Sequence, residues 1–459
     1  MPHTEVEGDE NPLAAIAAEV AAVAPKADAV SEEAARLREH YAQYTFAARK
    51  KRAAAEKAAL LAEGAAWQAA YPPASDVPLD ADGYARSFPC PGAPGDADGT
   101  AAEARAFYAR WSYVVFRDAV SAEDCAASRA EIWDALERDA PAVRRDDPRT
   151  WELLSSATYG LAPEPAVFTR QLLANRQAPR VVAALAALLG ADVAPGAPRR
   201  AGMLVSHDRW CFYRPTVAGA LLAEDRPEWR TRENLHLDLH PWAYRERGAA
   251  CQQALEQLRF ESLRDFAKET NWVNAATGPH LQGVLSLAPN AAADGGTQLV
   301  PGFAATFDAY VDALGPVDRH SDTVAAAARA AGDSTRPWLI GRAAGGGSWK
   351  WAPADPLCAR ARRVPLREGA LLLWDQRTAH GARCNESAVP RYAQFIKAYR
   401  THAASSARVR ARAACVEREA RAAGSWELIT PLGRRVFGLD WGADSDGEGD
   451  EDGKASEQE

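Results

Sequence analysis

The feature that most constrains the fold is a series of short apolar segments between residues 203 and 400, each interrupted by polar residues or glycine. Their sequences are MLVSHDRWCFYRPT, LHLDLHPW, LQGVLSLAP, GGTQLVPGF, GALLLWD and AQFIKAYR. Segments of this length that end at turn-forming residues are typical of strands, and several of them in succession predict an all-β sandwich or barrel. The core of the chain is therefore expected to be mainly β.

Helical patterns flank this β-rich region. The segments AEARAFYARW and SAEDCAASRAEIWDALE predict helices on either side of a strand, YVVFRDAV. The second of these helices begins with Ser121 and Asp124 in capping-box spacing. PRVVAALAALLG predicts a helix with Pro179 near its start and Gly190 at its end, and SSARVRARAACVEREARAAG predicts a last helix.

Composition divides the chain into four parts. Residues 1–100 form an Ala- and charge-rich helical extension followed by a Pro/Gly linker. Residues 101–402 form the main domain, with a long, partly helical and Gly-rich insertion at about 305–360. A helix and a short apolar segment occupy 403–442. The acidic tail, 443–459, is expected to be disordered because it has almost no apolar residues.

The charge distribution argues against a nucleic-acid-binding protein. Residues 443–459 contain eight acidic residues and one lysine, so most of the net charge of −8 lies there and the rest is nearly neutral. The chain begins with acidic residues instead of a signal peptide, and its apolar runs are too short to cross a bilayer. Seven scattered cysteines are typical of reduced thiols. We expect a cytoplasmic protein that binds neither nucleic acid nor membranes.

The segment ENLHLDLHPW places His236, Asp238 and His240 at alternate positions. If the segment is extended, the three side chains point to one side and can approach one metal ion. On a regular strand, however, the Cα atoms of the two histidines are about 13 Å apart, so they could share an ion only by straddling it. We therefore expect His236 and Asp238 to be ligands, and His240 to be a neighbour that shapes the pocket wall.

A third ligand is expected from His380, which follows an apolar strand late in the β-rich region. Two histidines and one carboxylate on one face of Fe(II) leave positions open for oxygen and a co-substrate. Arg391 begins the next strand and can hold a carboxylate of the co-substrate in a bidentate ion pair. The set His236, Asp238 and His380 is thus predicted to be both metal-binding and catalytic.

From about Glu103 to about Arg400, the chain resembles the phytanoyl-CoA dioxygenase-like family of Fe(II)- and 2-oxoglutarate-dependent oxygenases. The family's initial helix–strand–helix is similar to the segment FYARWSYVVFRDAVSAEDCAASRAEIWDALE of this chain. The H-x-D motif formed by His236, Leu237 and Asp238 resembles the family's iron-binding pair. GGTQLVPGF resembles the family's nG…vPGSH segment, with Phe303 where serine usually stands. His380 and Arg391 match the third iron ligand and the residue that binds the distal carboxylate of 2-oxoglutarate.

The resemblance implies an α+β fold with a mainly β core, a double-stranded β-helix (jelly roll, cupin-like) with flanking helices and a helical N-terminal extension. It implies Fe(II) as cofactor, with 2-oxoglutarate and O2 as co-substrates. The expected reaction hydroxylates a C–H bond of a small organic or acyl substrate and releases succinate and CO2. The protein's part in such a reaction is to bind, to orient and to exclude water.

Two departures from the family pattern affect the expected chemistry. Two residues after the iron-binding histidine, members often carry a small hydroxyl residue that helps to hold the co-substrate, and here that position is Ala382. Asp238 is present, whereas halogenating relatives have a small residue there, so hydroxylation is favoured over chlorination. The wide separation of Asp238 from His380 is explained by the insertion.

Other polar residues are further candidates. Gln282 and Thr297 lie on predicted strands and are expected to hydrogen-bond 2-oxoglutarate. Tyr213 and Arg214 could face the pocket or pack structurally. His207 is expected at the surface or at a strand edge. No site role is expected for Asn385, which suits a turn, or for His280, His320 and His402.

Two other classes of function remain open at this stage. One is a non-catalytic jelly-roll interaction protein that acts through its N-terminal helices or acidic tail. The other is a metal-dependent, cupin-like enzyme that does not use 2-oxoglutarate. A nucleic-acid demethylase on the same fold is disfavoured by the nearly neutral core. The expected partner is a small-molecule substrate, with a protein partner possible through the N-terminal helices or the tail.

Overall fold

The structure of the protein is a computed structural model. It describes residues 67–92, 100–154, 166–245, 249–271, 278, 280–315, 340–341, 348–351, 355–402 and 404–441. The chain divides into two compact units, Met1–Gly64 and Ala65–Glu459. The first unit, which contains most of the predicted helical extension, and the acidic tail lie outside the described residues. The domain boundaries at 100, 402 and 442 stay predictions.

The strands form two sheets, which we number along the chain. They are β1 (Phe88–Pro89), β2 (Tyr113–Arg117), β3 (Met203–Val205), β4 (Trp210–Tyr213), β5 (His236–Leu237), β6 (His280–Ser286), β7 (Gly296–Leu299), β8 (Ile340–Gly341), β9 (Trp349–Lys350), β10 (Arg362–Arg363), β11 (Leu371–Asp375), β12 (His380–Arg383) and β13 (Arg391–Arg400). The first sheet has the order β1-β2-β11-β6-β13-β3, with β4 also paired to β13. The second has the order β10-β7-β12-β5-β9-β8.

The first sheet is the deeply buried one. Every residue of β6 and β11 is buried, which explains why LLLW is a continuous apolar run and does not alternate with polar residues. The long strand β13 pairs with β6 along seven residues and with β4 and β3 on its other side. Because β13 carries Arg391 at its start, this register determines what the arginine faces.

The second sheet is built from short strands. In it β12 pairs antiparallel with β7 and with β5, and His380 lies directly opposite His236. Strand β9, from the predicted 305–360 insertion, pairs with the other side of β5, so that Lys350 lies opposite His236. The described part of the insertion therefore extends this sheet beside the H-x-D motif.

The helices cover the sheets. They are α1 (Thr100–Trp111), α2 (Ala122–Asp139), α3 (Arg170–Gln177), α4 (Pro179–Leu189), α5 (Pro241–Arg245), α6 (Ala249–Glu256), α7 (Arg264–Asn271), α8 (Phe303–Leu314), α9 (Ser406–Ala422) and α10 (Pro431–Val436). The predicted capping box of Ser121 and Asp124 is present, and Gly190 ends α4 with a left-handed φ of 61°. The helix predicted at the start of the main domain, α1, and the last predicted helix, α9 within 403–442, are confirmed.

Two apolar clusters hold these layers together. The larger surrounds the first sheet and helices α2–α4, and the smaller lies between the second sheet and α8. Phe303, at the position where the family has serine, begins α8 and is fully buried in the smaller cluster. The architecture is α+β with a mainly β core, as predicted. None of the helices in the described ranges has the length and apolarity to cross a membrane.

A buried ionic cluster joins α7 and α9 to β13. Glu269, on α7, is 1% exposed and lies 3.1 Å from the Arg412 guanidinium and 3.8 Å from that of Arg408. The hydroxyl of Tyr399, on β13, donates a hydrogen bond to the same carboxylate. Burying a carboxylate is costly unless its partners accompany it. This cluster therefore depends on all its members.

We expect Glu269→Ala to lower the free energy of unfolding by about 3–5 kcal/mol, because it leaves the buried Arg412 without its anion and removes one of the two carboxylates beside Arg408. Glu417→Ala is the control, since Glu417 pairs with Arg421 at 2.8 Å on the exposed face of α9. It should cost less than about 1 kcal/mol. Urea unfolding measures both values. Equal losses in the two variants would contradict the importance given to the buried cluster.

Candidate metal centre

Three side chains predicted as metal ligands meet at one point of the fold. One ligand atom from each of His236, Asp238 and His380 lies within 4.8 Å of the others. Asp238 Oδ1 is 3.4 Å from His236 Nε2, and Asp238 Oδ2 is 3.8 Å from His380 Nε2. The β5–β12 pairing causes this convergence, because it places the two histidines opposite each other. Their spacing fits a 2-His-1-carboxylate set.

The protonation of these groups favours metal binding. His380 Nδ1 is 2.9 Å from the Thr378 carbonyl oxygen, an arrangement that leaves Nε2 available for an ion. Burial, together with the neighbouring His236, lowers the pKa of His380, so that its ring is neutral. Burial alone would raise the pKa of Asp238, but Lys397 and His236 outweigh it and hold that pKa well below its usual value. His380 thus offers a neutral imidazole and Asp238 a charged carboxylate.

Two donors orient the Asp238 carboxylate. Gln282 Nε2 donates to Asp238 Oδ2 at 2.8 Å, and Lys397 Nζ lies 3.4 Å from the same oxygen. The amide of Gln282 is itself fixed, because its oxygen accepts from Trp374 Nε1 at 3.1 Å. Oδ2 therefore has two donors from the first sheet, and Oδ1 is left on the side of His236. This arrangement favours ligation through one oxygen.

Lys397 and Asp208 were not predicted from the sequence as site residues. Lys397 is 6% exposed, and its Nζ is 3.2 Å from Asp208 Oδ2. Burial would lower the pKa of Lys397, but the Asp208 and Asp238 carboxylates outweigh burial and raise it. The available sequence signal was a lysine inside an otherwise apolar strand, AQFIKAYR. Lysine is almost never buried unless it is paired.

Arg391 lies against two residues, Tyr213 and Thr297, that line the space beside the triad. It is 2% exposed, its guanidinium lies 4.7 Å from the centre of the Tyr213 ring, and its Nη2 is 3.5 Å from Thr297 Oγ1. Gly296 has a φ of 118°, and a Cβ added there would lie 2.7 Å from Arg391 Nε. In the part of the chain that the structure describes, no carboxylate forms an ion pair with Arg391. Its guanidinium is therefore suited to an anionic ligand.

Between the two sheets lies a cavity of about 340 Å³, which we call the metal cavity. Its lining includes Tyr213, Gln282, Trp374, Phe395 and Lys397 from the first sheet, and His236, Thr297, Lys350, His380 and Ala382 from the second. Gly381 is required beside the predicted ligand His380, because a Cβ there would lie 1.9 Å from the Asn234 carbonyl oxygen. Ala382 lines the cavity without a hydroxyl group.

Of the predicted co-substrate residues, Thr297 and Gln282 line this cavity but differ in their contacts. Thr297 is beside Arg391, where a bound carboxylate could reach it. Gln282 contacts Asp238 instead, so its direct bond to 2-oxoglutarate stays a prediction. For Tyr213 and Arg214 the sequence left open whether they face the pocket or pack structurally. Tyr213 lines the cavity. Arg214 does not, since it donates to the Trp151 carbonyl oxygen at 2.7 Å.

The structure corrects the expectation for His207. Instead of lying at the surface or a strand edge, it is 1% exposed and stacks on Phe168 with ring centres 4.6 Å apart. Burial, with Arg412 and Arg176 nearby, lowers the pKa of His207 well below its usual value. It belongs to an aromatic cluster, which the sequence could not show because its partners come from distant segments.

The remaining histidines among the described residues do not join the triad. The Nδ1 atom of His240 accepts from Ala243 N–H at 3.2 Å, so this residue caps the start of α5 and does not line the metal cavity. His280 stacks on Tyr399, and His402 lies outside the cavity lining. His320 is outside the described residues. Asn385 shapes a turn as predicted, with its amide donating to the Val389 carbonyl oxygen at 2.7 Å.

Comparison with known proteins decides the family. A curated protein of Dictyostelium discoideum named "Putative phytanoyl-CoA dioxygenase" is 31% identical over 308 residues, which cover 66% of this chain and 76% of the relative. The chain belongs to the phytanoyl-CoA dioxygenase family. The predicted family is thus confirmed, and the triad fits the Fe(II) that the family resemblance implies. No protein-family model matches the chain.

The solved structures that match this phytanoyl-CoA dioxygenase family member have low sequence identity to it. The epimerase SnoN, in complex with Fe3+, alpha-ketoglutarate and nogalamycin RO, is 16% identical, with a TM-score of 0.35, covering 66% of this chain and 84% of that one. EctD from S. alaskensis with bound Fe is also 16% identical, with a TM-score of 0.33, covering 71% and 83%.

We expect Gln282→Leu to weaken metal binding roughly 10- to 100-fold, because outer contacts that hold a ligand contribute this much to affinity. Calorimetric titration with Mn2+ measures the effect in the apoprotein. Gln394→Leu is the control, since Gln394 is fully buried on β13 but bonds to Asn175 and Leu172, away from the triad. It should lower stability and leave Mn2+ affinity unchanged. Unchanged affinity in Gln282→Leu would refute the orienting role.

Proposed function

We propose that the chain is an Fe(II)- and 2-oxoglutarate-dependent dioxygenase that hydroxylates a C–H bond of a small organic or acyl substrate. The observation that carries this proposal is a pair of complementary sites at one cavity, the first in its lining and the second in contact with its lining residues Tyr213 and Thr297. These are the triad His236, Asp238 and His380, and Arg391, a buried arginine without a carboxylate partner among the described residues. Family membership supports the same conclusion.

The bound metal and co-substrate would supply the oxidising chemistry, in which one atom of O2 enters succinate as CO2 leaves, and the other enters the substrate C–H bond. His236, Asp238 and His380 would occupy one face of the ion. Gln282 and Lys397 would keep the Asp238 carboxylate charged and directed through one oxygen.

Arg391 would pair with the distal carboxylate of 2-oxoglutarate, with Thr297 beside it. Tyr213 and Phe395 would close the space between the arginine and the metal. A lining of this kind excludes water and strengthens every electrostatic contact inside it. The protein's contribution would thus be binding, orientation and exclusion of solvent.

We further propose that the two sheets form a double-stranded β-helix. The position of the metal cavity between them, with residues from both sheets touching Asp238, supports this arrangement. A cytoplasmic location and a small-molecule substrate are part of the proposal. The sequence alternatives, a non-catalytic interaction protein and a cupin-like enzyme that does not use 2-oxoglutarate, are tested by the experiments below.

We expect wild-type protein, mixed without oxygen with Fe(II) and 2-oxoglutarate, to give the weak visible charge-transfer band of the chelate. His380→Ala should lose most of this band, because two ligands from one short segment leave the ion incompletely held. The control is His280→Ala, since His280 lies outside the metal cavity. Absence of the band in wild type, or an unchanged band in His380→Ala, would reject the proposal.

Arg391→Ala should raise the Kd for 2-oxoglutarate at least roughly 30-fold, since losing one partner of a buried charge pair costs about 2 kcal/mol or more. Titration of the same band with 2-oxoglutarate measures this. Arg214→Gln is the matched control, because Arg214 is also buried but bonds to the Trp151 carbonyl oxygen. Intact turnover in Arg391→Ala would favour the cupin-like enzyme that does not use 2-oxoglutarate.

A further inference from the structure

Strand β13 carries two cations beside the metal cavity: Lys397 lines the cavity, and Arg391 contacts its lining residues Tyr213 and Thr297. Arg391 begins β13 and Lys397 lies six residues further along it, about 20 Å away at Cα. Arg209 is next to the Lys397 end, because its carbonyl oxygen accepts from Phe395 N–H at 2.9 Å. A five-carbon diacid that chelates the metal and reaches Arg391 would occupy the Arg391 side of the triad. On the other side Lys397 is paired with Asp208 and Asp238, so the charge that needs a separate explanation is that of Arg209.

Arg209 is only partly engaged by the protein. Its Nε donates to Asp208 Oδ1 at 3.1 Å, and its side chain is 44% exposed. Among the residues that the structure describes, nothing accepts a hydrogen bond from its two terminal amino groups. These two groups are the part of the guanidinium fork that binds a carboxylate or phosphate in bidentate fashion.

The charge balance of the lining favours an anion at this end. With metal and 2-oxoglutarate bound, the ion would be balanced by Asp238 and the adjacent carboxylate of 2-oxoglutarate, and Arg391 by the distal carboxylate. Among the other charged residues described in the lining, Arg209, Lys350 and Lys397 are positive and Asp208 alone is negative. The loaded cavity would thus retain an excess of positive charge.

Arg209 also has space beside it. The Asp208–Arg209 pair lines both the metal cavity and a second cavity of about 360 Å³. The second cavity reaches the start of α7, where Ser262 and Leu263 contribute to its wall. An anionic group at Arg209 would therefore lie between the metal and a second open volume, with room for the rest of a substrate.

We infer that the substrate carries a carboxylate or phosphate group and that the two terminal amino groups of Arg209 bind it. This inference deepens the proposed function and rests on it. It assigns different anions to two arginines at the metal cavity, 2-oxoglutarate to Arg391 and the substrate to Arg209. The C–H bond that reacts would then lie between the anionic group and the metal.

The test uses the full-length protein with Fe(II) and 2-oxoglutarate in the absence of oxygen. Substrates that displace water from the metal perturb the charge-transfer band, so each probe is titrated against that band. The probes are hexanoate with its neutral partner hexanamide, and phenyl phosphate with phenol. The first pair tests a carboxylate as the anionic group and the second a phosphate.

We expect one anion to perturb the band of wild type with a saturable titration, and its neutral partner to have no such effect. Arg209→Gln should weaken that titration roughly 10- to 100-fold, as expected for a lost charged hydrogen-bond pair. Arg209→Lys keeps the charge but not the guanidinium fork, so its affinity for the anion should lie between those of wild type and Arg209→Gln.

The matched control is Arg434→Gln. Arg434 is also 44% exposed and its Nε donates to Asp440 Oδ1 at 3.0 Å, but it lies on α10, outside the metal cavity. It should titrate as wild type does. The inference is overturned if neither anion affects wild type, if neutral partners act as strongly as the anions, or if Arg209→Gln titrates like Arg434→Gln. Loss of the band itself in wild type contradicts the proposed function instead.

Discussion

The Asp238 carboxylate is the contact on which the site depends, because groups from both sheets converge on it. His236 and His380 approach it from the second sheet, while Gln282 and Lys397 approach it from the first. A further bond, from Gln376 Nε2 to the Asp238 carbonyl oxygen at 2.8 Å, holds the backbone. A shift between the sheets would therefore change the position of the ligand and of its supports together.

The same carboxylate begins a chain of buried charges. Asp238 contacts Lys397, Lys397 contacts Asp208, and Asp208 contacts Arg209, at 3.4, 3.2 and 3.1 Å. Buried charges are costly singly and tolerable only when each has a partner. Alternation of sign along this chain satisfies that condition, and it places a partly exposed cation, Arg209, at one end. The chain thus connects the predicted metal ligand Asp238 to the partly exposed Arg209.

Much of the fold could be predicted because its signals are local. The capping box at Ser121, the glycine after α4 and the apolar run of β11 each depend on neighbouring residues. The partners of His207 could not be predicted in this way. Its cluster joins Phe168, Phe266 and Phe437, residues far apart in sequence that only the packed helices bring together.

The residues of the candidate site also differ in whether their role can be predicted from local sequence patterns. His236, Asp238, His380 and Arg391 belong to short patterns with a chemical meaning, and the sequence was enough to single them out. Gln282 was singled out as well, but for a contact with 2-oxoglutarate, because a strand pattern does not reveal which neighbour an amide faces.

Lys397, Asp208 and Arg209 belong to no motif, and their meaning depends on the pairing of β13 with β4 and β6. The register places Lys397 beside Gln282 and both near Asp238. These residues lie at the end of the cavity away from Arg391. The motifs that bind metal and co-substrate therefore say little about the substrate. The charges at this end of the cavity constrain the chemistry of the substrate instead.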